Sequence, residues 1–357
     1  MTYQILAINP GSTSTKISLF EDETILNETT LDHPISVIEK YDHIMDQLSF
    51  RKEVILGWLK EIGFDINTLD AVSGRGGLVK AIPGGTYAVN NKLKEDLRIA
   101  VNGEHASNLG GVLAREIADM VGCRAFIVDP PCVDDFDEIS RISGMPDIKR
   151  ISKFHALNHR AVGREYARSV GKKYRDLNLI IAHMGGGCSV AAHRRGKAIN
   201  CYNGLDGDGA FSPTRSGGIP SGDLIRLCYS GKYPTVSDMM KRCVGNAGIV
   251  AYLGTNDMRE VDRMIEEGST EAKLVKEAFI LQVSHDIAAM AADLNGEVDQ
   301  IILTGGIAHG KAVTDGIKAR VGWIAGITVI PGEREMIALA QGAYRVLTGE
   351  EEAKVYE

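Results

Sequence analysis

The chain has 357 residues, 44% of them hydrophobic, and a formal net charge of -7 at neutral pH, which suits two domains of roughly 150–200 residues each rather than one core. Its acidity comes without long like-charge runs, and no Lys/Arg cluster is interleaved with aromatic residues, which excludes a nucleic-acid partner and points to a small anion. Six cysteines (Cys123, Cys132, Cys188, Cys201, Cys228, Cys243) form no Cys-x-x-Cys pair and read as reduced core thiols, not a disulfide framework or zinc site.

The N-terminus enters a strand at once. Ile5–Phe20 forms two apolar runs around Asn9-Pro10-Gly11, and residues 3–31 together predict a hairpin or meander with a second turn at Glu21-Asp22-Glu23. No basic and apolar leader precedes this strand, and no apolar run approaches ~18 residues, so a cytoplasmic protein without a membrane partner is expected. Between Val37 and Ile62 apolar positions recur at three- and four-residue steps, predicting a helix. The short strand Ala71-Val72-Ser73 then runs into Gly74-Arg75-Gly76-Gly77, which delivers Arg75 to a strand end. A helix over residues 106–120 follows, and Ala125-Phe126-Ile127-Val128 is a buried strand ending at Asp129.

The Gly-, Pro- and charge-rich stretch Arg141–Arg150 reads as a connector and sets the domain boundary near residue 150. Beyond it, Leu179–Ala191 repeats the strand, turn, strand pattern of the N-terminus around Gly185-Gly186-Gly187. Residues 269–294 give the longest helical pattern, with Ser269 or Thr270 as N-cap. Gln300-Ile301-Ile302-Leu303 is a strand emptying into Thr304-Gly305-Gly306-Ile307, a third corner of the kind that receives anions. A last helix over 334–347 could fold back on the first domain, giving an N-terminal domain 1–150 completed by 332–357 and a second domain 151–331.

Turns of this kind let backbone N–H groups face an anion. Built twice, they suggest a nucleotide held by two similar domains. The Walker A pattern and the dinucleotide Gly-x-Gly-x-x-Gly are both absent, which excludes P-loop and Rossmann cofactor binding. His155 and His159 have the spacing of metal ligands on a helix, yet no Glu or Cys completes a zinc set, and His159 and His183 could equally be satisfied structural histidines.

Taken in order, Asn9-Pro10-Gly11-Ser12-Thr13-Ser14-Thr15-Lys16, Phe154-His155-Ala156-Leu157-Asn158-His159-Arg160, His183-Met184-Gly185-Gly186-Gly187, Pro213-Thr214-Arg215-Ser216-Gly217-Gly218 and Leu303-Thr304-Gly305-Gly306-Ile307 resemble the acetokinase family over nearly the whole chain. The resemblance implies an α/β fold of two ribonuclease H-like, actin-like ATPase domains flanking an ATP cleft. It also implies Mg-ATP-dependent phosphorylation of a short-chain fatty acid to its acyl phosphate, reversibly. The Gly74-Arg75-Gly76-Gly77 form and the short chain resemble the butyrate-acting branch, with acetate, propionate or isobutyrate as alternatives.

Matched residue by residue, the resemblance places Arg75, Asp129, His155 and Arg215 in the catalytic set. Asn9, Ser12, Ser14, Lys16, His183, Gly185, Gly186 and Gly187 would bind phosphate. Asp257, Met258, Arg259, Gly305, Gly306 and Ile307 would bind adenosine, and Glu333, placed at the start of the last helix, would serve Mg2+. The chemistry agrees with the arginines: a carboxylate nucleophile with a pKa near ~5 needs no base, but an anion meeting a phosphate needs forked positive donors. A sugar kinase, whose hydroxyl nucleophile needs a base, fits this arginine-rich set less well.

Two departures from the family pattern stand out. Gly186 replaces an Asn, and Gly76-Gly77 replaces an apolar pair, from which a roomier acyl pocket is expected. The resemblance further implies a homodimer or higher homo-oligomer through the second domain. The rival of another class is an actin- or chaperone-like ATP switch; the chain ends soon after its last predicted helix, which was expected to leave no room for a peptide-binding domain.

Overall fold

The computed structural model describes residues 2–357. The chain divides into two compact units, residues up to Asp134 together with Arg334–Glu357, and Asp135–Glu333.

The first unit is built on a six-stranded sheet of order β3-β2-β1-β4-β6-β5, with β1 Gln4–Pro10, β2 Ser14–Glu21, β3 Thr24–Asp32, β4 Ala71–Arg75, β5 Thr86–Ala88 and β6 Arg124–Val128. The strands β1, β2 and β3 form an antiparallel meander, while β1, β4 and β6 run parallel. Ile5, Leu6, Ala7 and Ile8 are fully buried, because a central strand covered on both faces needs a continuous apolar run. The helices Leu48–Glu61, Asn108–Val121 and Glu335–Leu347 are the longest of this unit, the last packing across β1, β4 and β6. Where the helix Asn108–Val121 meets β4, a Cβ at Gly74 would lie 2.0 Å from the Gly110 carbonyl oxygen, so the glycine is what permits the approach.

The second unit carries a five-stranded sheet of order β11-β10-β7-β8-β9, with β7 Asn178–Met184, β8 Cys188–Arg194, β9 Lys197–Cys201, β10 Gln300–Gly305 and β11 Ile327–Pro331. Here too an antiparallel meander, β7-β8-β9, adjoins a parallel set, β7-β10-β11. The two sheets therefore share one five-strand topology, as the repeated strand, turn, strand pattern suggests, and the first adds the antiparallel edge strand β5. The helix Thr270–Asp293 supplies Phe279, Val283 and Ile287 to the core, and its N-cap is Ser269, whose hydroxyl accepts from the Ala272 N–H.

Several expectations are corrected. The helical period over 37–62 breaks into a short helix Ile35–Ile38, a 3-10 turn Ile44–Gln47 and the helix Leu48–Glu61. The division between the units falls at Asp134, not near residue 150. The stretch after it is tied to β9: the Asp137 N–H donates to the Ile199 carbonyl, and Arg150 donates to Asn200 Oδ1 and the Cys201 carbonyl. The helix after Gly305-Gly306 begins only at Lys311, beyond a 3-10 turn. The cysteines are free, but only Cys188 and Cys201 are buried; Cys228 is exposed. Among the described residues, no helix is long and apolar enough to cross a membrane.

Candidate functional site

In each unit several candidate residues stand at the carboxyl ends of the parallel strands, where open α/β sheets present their ligand sites. In the first unit, Asn9 follows Ile8 on β1, Arg75 ends β4, and Asp129 follows Val128 on β6, with Ile8 paired to Gly74 and Arg75 to Val128. Arg75 Nη1 donates to Glu335 Oε2 at 2.6 Å and to Asn9 Oδ1 at 3.3 Å, and Asn9 Nδ2 donates to the same Glu335 oxygen at 2.7 Å. Asp129 is buried and sits at φ +38°, a left-handed conformation unusual outside glycine. Two bonds hold it there: its N–H donates to the Gly85 carbonyl, and its Oδ1 accepts from the Gly85 N–H at 2.7 Å. A strained backbone held by its surroundings aims a side chain.

The turn between β1 and β2 has an organiser that motif matching did not find. Arg51, 1% exposed, donates to the carbonyls of Gly11 and Ser14 through Nη1 and of Ser12 through Nη2, with Thr15 Oγ1 and Gln47 Oε1 completing its partners. All these acceptors are neutral, so a full positive charge lies beneath the turn without a carboxylate against it. Burial pulls its pKa down to about 10, which leaves it charged at neutral pH. Burial, and then the Arg51 charge, push neighbouring His33 down to about 4. The signal was legible in the helix: Leu48, Arg51, Ile55 and Leu59 form its buried stripe, and an Arg on such a stripe needs a polar partner. Lys16 pairs with Glu28 at 2.9 Å.

In the second unit, His183, the last residue but one of β7, pairs with Thr304 of β10, and Glu333 comes two residues after the end of β11. Ser212 Oγ and Thr214 Oγ1 donate to the Gly186 carbonyl, fixing the Gly185–Gly187 turn from one side. The Arg215 guanidinium lies directly on Gly187, where a Cβ would come within 2.1 Å of it, and Arg215 donates to the Gly204 carbonyl. Burial lowers the Arg215 pKa, with Cys188 and Asp206 acting in the opposite sense. Asp286, on the helix Thr270–Asp293, accepts from the Ala210 N–H at 2.7 Å and so anchors the loop leading to Arg215; burial raises its pKa to about 7.

His155 caps the helix Ala156–Ser169 and stacks on His183, ring centroids 3.9 Å apart. His183 Nδ1 meets Asn158 Nδ2 at 2.9 Å, and Asn158 also donates to Thr304 Oγ1. Asp257 N-caps the helix Met258–Glu266, and its ion pair with exposed Arg259 holds its pKa near 2. Met258 packs against the core and the Ile307 side chain lies within it.

Two sequence expectations change here, and one residue is added. Glu333 does not start the last helix, which begins at Glu335; Glu333 belongs to the second unit, 3.9 Å from His183 Nε2. Glu335, which sequence reasoning passed over, is the carboxylate on Arg75. Gly76 and Gly77 make no room: a Cβ at Gly76 would lie 2.5 Å from Pro130 Cβ, and one at Gly77 2.3 Å from Asn108 Oδ1. Those glycines allow packing of the strand end, and the roomier pocket they suggested is already filled by the protein. At Gly186, by contrast, the space is open.

Among the described residues, no cluster of three His, Cys, Asp or Glu side chains could hold a metal ion. Mg2+ carried by nucleotide phosphates keeps several waters and asks for only one or two carboxylates, which the half-exposed Glu333 fits.

Two units of this topology, each presenting a polar or glycine turn and polar residues at its strand ends, make the two-sheet α/β fold that solved acetate and propionate kinases share. The sequence pattern of the Acetokinase family matches residues 147–333. Butyrate kinase 1 and butyrate kinase 2 of Clostridium acetobutylicum are 54% and 53% identical to this chain, over 99% and 100% of it and 100% of each relative. The crystal structure of Porphyromonas gingivalis acetate kinase superposes with a TM-score of 0.79 at 19% identity, covering 98% of this chain and 100% of that one. The chain belongs to the acetokinase family. Kinases of this family use Mg-ATP.

Proposed function

We propose that this chain transfers the γ-phosphoryl group of Mg-ATP to butyrate, giving butyryl phosphate and ADP, and makes ATP by the reverse reaction. ATP-dependent phosphorylation of a short-chain carboxylate is the reaction of its family. The choice of butyrate rests on the full-length identity to two butyrate kinases.

The chemistry follows from charge. The acid is ionised at neutral pH, so the protein need not remove a proton; it must let an anion approach a phosphate. Arg75 in the first unit and Arg215 in the second supply the forked donors that suit a carboxylate and equatorial phosphoryl oxygens. Asn9, Ser12, Ser14 and Lys16 serve phosphate oxygens from the first turn, and His183 with Gly185, Gly186 and Gly187 from the second. His155 donates to the transferred group, Asp129 aligns it, and Glu333 serves the metal. Asp257, Met258, Arg259, Gly305, Gly306 and Ile307 form the adenosine site. Position at a strand end or turn supports the roles of Asn9, Ser12, Arg75, Asp129, Gly185, Gly186, Gly187, Gly305 and Glu333; the others rest on the family motifs.

A homo-oligomer through the second unit is part of the same reading. It is supported by the helices Ser221–Cys228 and Val236–Cys243, which bury no residue and leave Tyr229 and Val236 88% and 80% exposed.

The test is acyl phosphate formation trapped by hydroxylamine with Mg-ATP across formate, acetate, propionate, butyrate, isobutyrate and valerate. A maximum at butyrate is expected. A maximum at acetate, propionate or isobutyrate would move the assignment within the family, and nucleotide binding without any product would support the ATP-switch reading instead.

A further inference from the structure

Within the second unit a chain of hydrogen-bonding side chains runs inward from His155. His155 Nδ1 lies 2.8 Å from Ser189 Oγ, which is 3.0 Å from His159 Nε2; His159 Nδ1 is 3.2 Å from His193 Nε2, and His193 Nδ1 is 2.6 Å from the Tyr174 hydroxyl. His159 and His193 are fully buried, and Ser189 and Tyr174 nearly so. Alternation along β8 puts Ser189 and His193 on one face, and helical spacing stacks His155 over His159, so the two elements meet residue for residue. The edge of the Phe154 ring closes on His159.

A neutral imidazole has one N–H and one lone pair in the ring plane, and a hydroxyl has one hydrogen. In such a chain the direction of one bond therefore sets the direction of all. His159 meets that condition: burial pushes its pKa well below 6.5, and the neighbouring His193, His183 and His155 add to the effect. The direction is chosen at the tyrosine end. A phenol is a better donor than acceptor, since its oxygen lone pair is delocalised into the ring. The guanidinium carbons of Arg160 and Arg164, each 5.7 Å from the Tyr174 ring centroid, draw density from it further. Tyr174 then donates to His193 Nδ1, His193 Nε2 to His159 Nδ1, His159 Nε2 to Ser189 Oγ, and Ser189 to His155 Nδ1.

We propose that Tyr174, acting through His193, His159 and Ser189, fixes His155 as the tautomer with its hydrogen on Nε2, so that His155 meets the phosphoryl group as a donor. Tyr174, His193, His159 and Ser189 are then positioning residues, and no proton moves along the chain. This inference rests on the kinase reading for its consequence, though the tautomer itself does not.

The experiment is a two-bond 1H–15N correlation on the full-length protein with 15N-labelled histidine, set beside acyl phosphate kinetics, for the wild type, Tyr174→Phe and Ser189→Ala. In the wild type, His155 should show an unprotonated Nδ1 and a protonated Nε2. Tyr174→Phe, which removes only the hydroxyl, should give His155 a mixture of tautomers and lower kcat roughly fivefold, with KM for both substrates little changed. Ser189→Ala cuts the chain next to His155 and should give the same spectral change if Tyr174→Phe fails to fold. A wild-type His155 protonated at Nδ1, or a tautomer unmoved by the variants, would overturn the proposal. Wild-type protein that makes no acyl phosphate but shows the expected tautomer would overturn the kinase reading alone.

Discussion

Arg75 and Glu335 are 260 residues apart in sequence and joined by a 2.6 Å hydrogen bond, with Asn9 on the same carboxylate oxygen. The bond fixes the guanidinium at the end of β4, in place for the substrate carboxylate. Glu335→Gln removes the charge-assisted bond while keeping the shape. A hydrogen bond to a charged group contributes about 1.5–3 kcal/mol, so the KM for the carboxylate should rise at least about tenfold. Initial rates at saturating ATP measure this, and an unchanged KM would separate Arg75 from substrate binding.

Arg215 packs on Gly187 of the second turn. Assigned to transition-state charge, it should cost at least ~10² in kcat when replaced by alanine, with limited change in nucleotide affinity. Turnover at the wild-type rate would remove that role.

Arg51 should act on nucleotide alone. Arg51→Lys keeps the charge but loses the fork that gathers the Gly11, Ser12 and Ser14 carbonyls. The KM for ATP should rise while the KM for the acid stays near wild type; a rise in both, or in neither, would argue against a turn-specific effect.

The glycines of the two units should behave oppositely. Gly77→Ala would force a methyl against Asn108 and Leu97 and should destabilise by about 1–3 kcal/mol, without changing the ratio of butyrate to acetate activity. Gly186→Asn enters open space and should leave the melting temperature nearly unchanged while lowering the KM for ATP. Thermal melts and acid ratios for the pair decide both points.

Asp286 gives the second unit a pH signature. Its carboxyl titrates near 7 when folded and near 3.8 unfolded, so between those values the folded state binds more protons. Its contribution to stability is complete below about pH 4 and is lost as pH rises through 7. Asp286→Asn, which keeps an acceptor for the Ala210 N–H, should flatten the fall in melting temperature between pH 4 and 7. Parallel curves for wild type and variant would place the titration elsewhere.

The strands carrying the site were legible because they are continuous apolar runs ended by glycine or a charged residue: Ile5–Ile8 before Asn9, Ala125–Val128 before Asp129, Leu179–Ala182 before His183. The edge strand β5 Thr86–Ala88 and the helices Ser221–Cys228 and Val236–Cys243 were not, since three residues and eight residues are too short for a period to stand out. Family motifs located Arg75, His155 and Arg215 one by one.

By itself the sequence determined the duplicated strand, turn, strand units, the parallel strands beside them and the residue types at their ends, because local periodicity and turn chemistry set these within a few neighbours. Only the tertiary structure decided that Glu335, and not Glu333, meets Arg75, that Arg51 sits under the first turn, that Gly77 is filled and Gly186 open, and that three side chains link Tyr174 to His155. Each of those outcomes depends on distances between segments far apart in the chain, which no local pattern encodes.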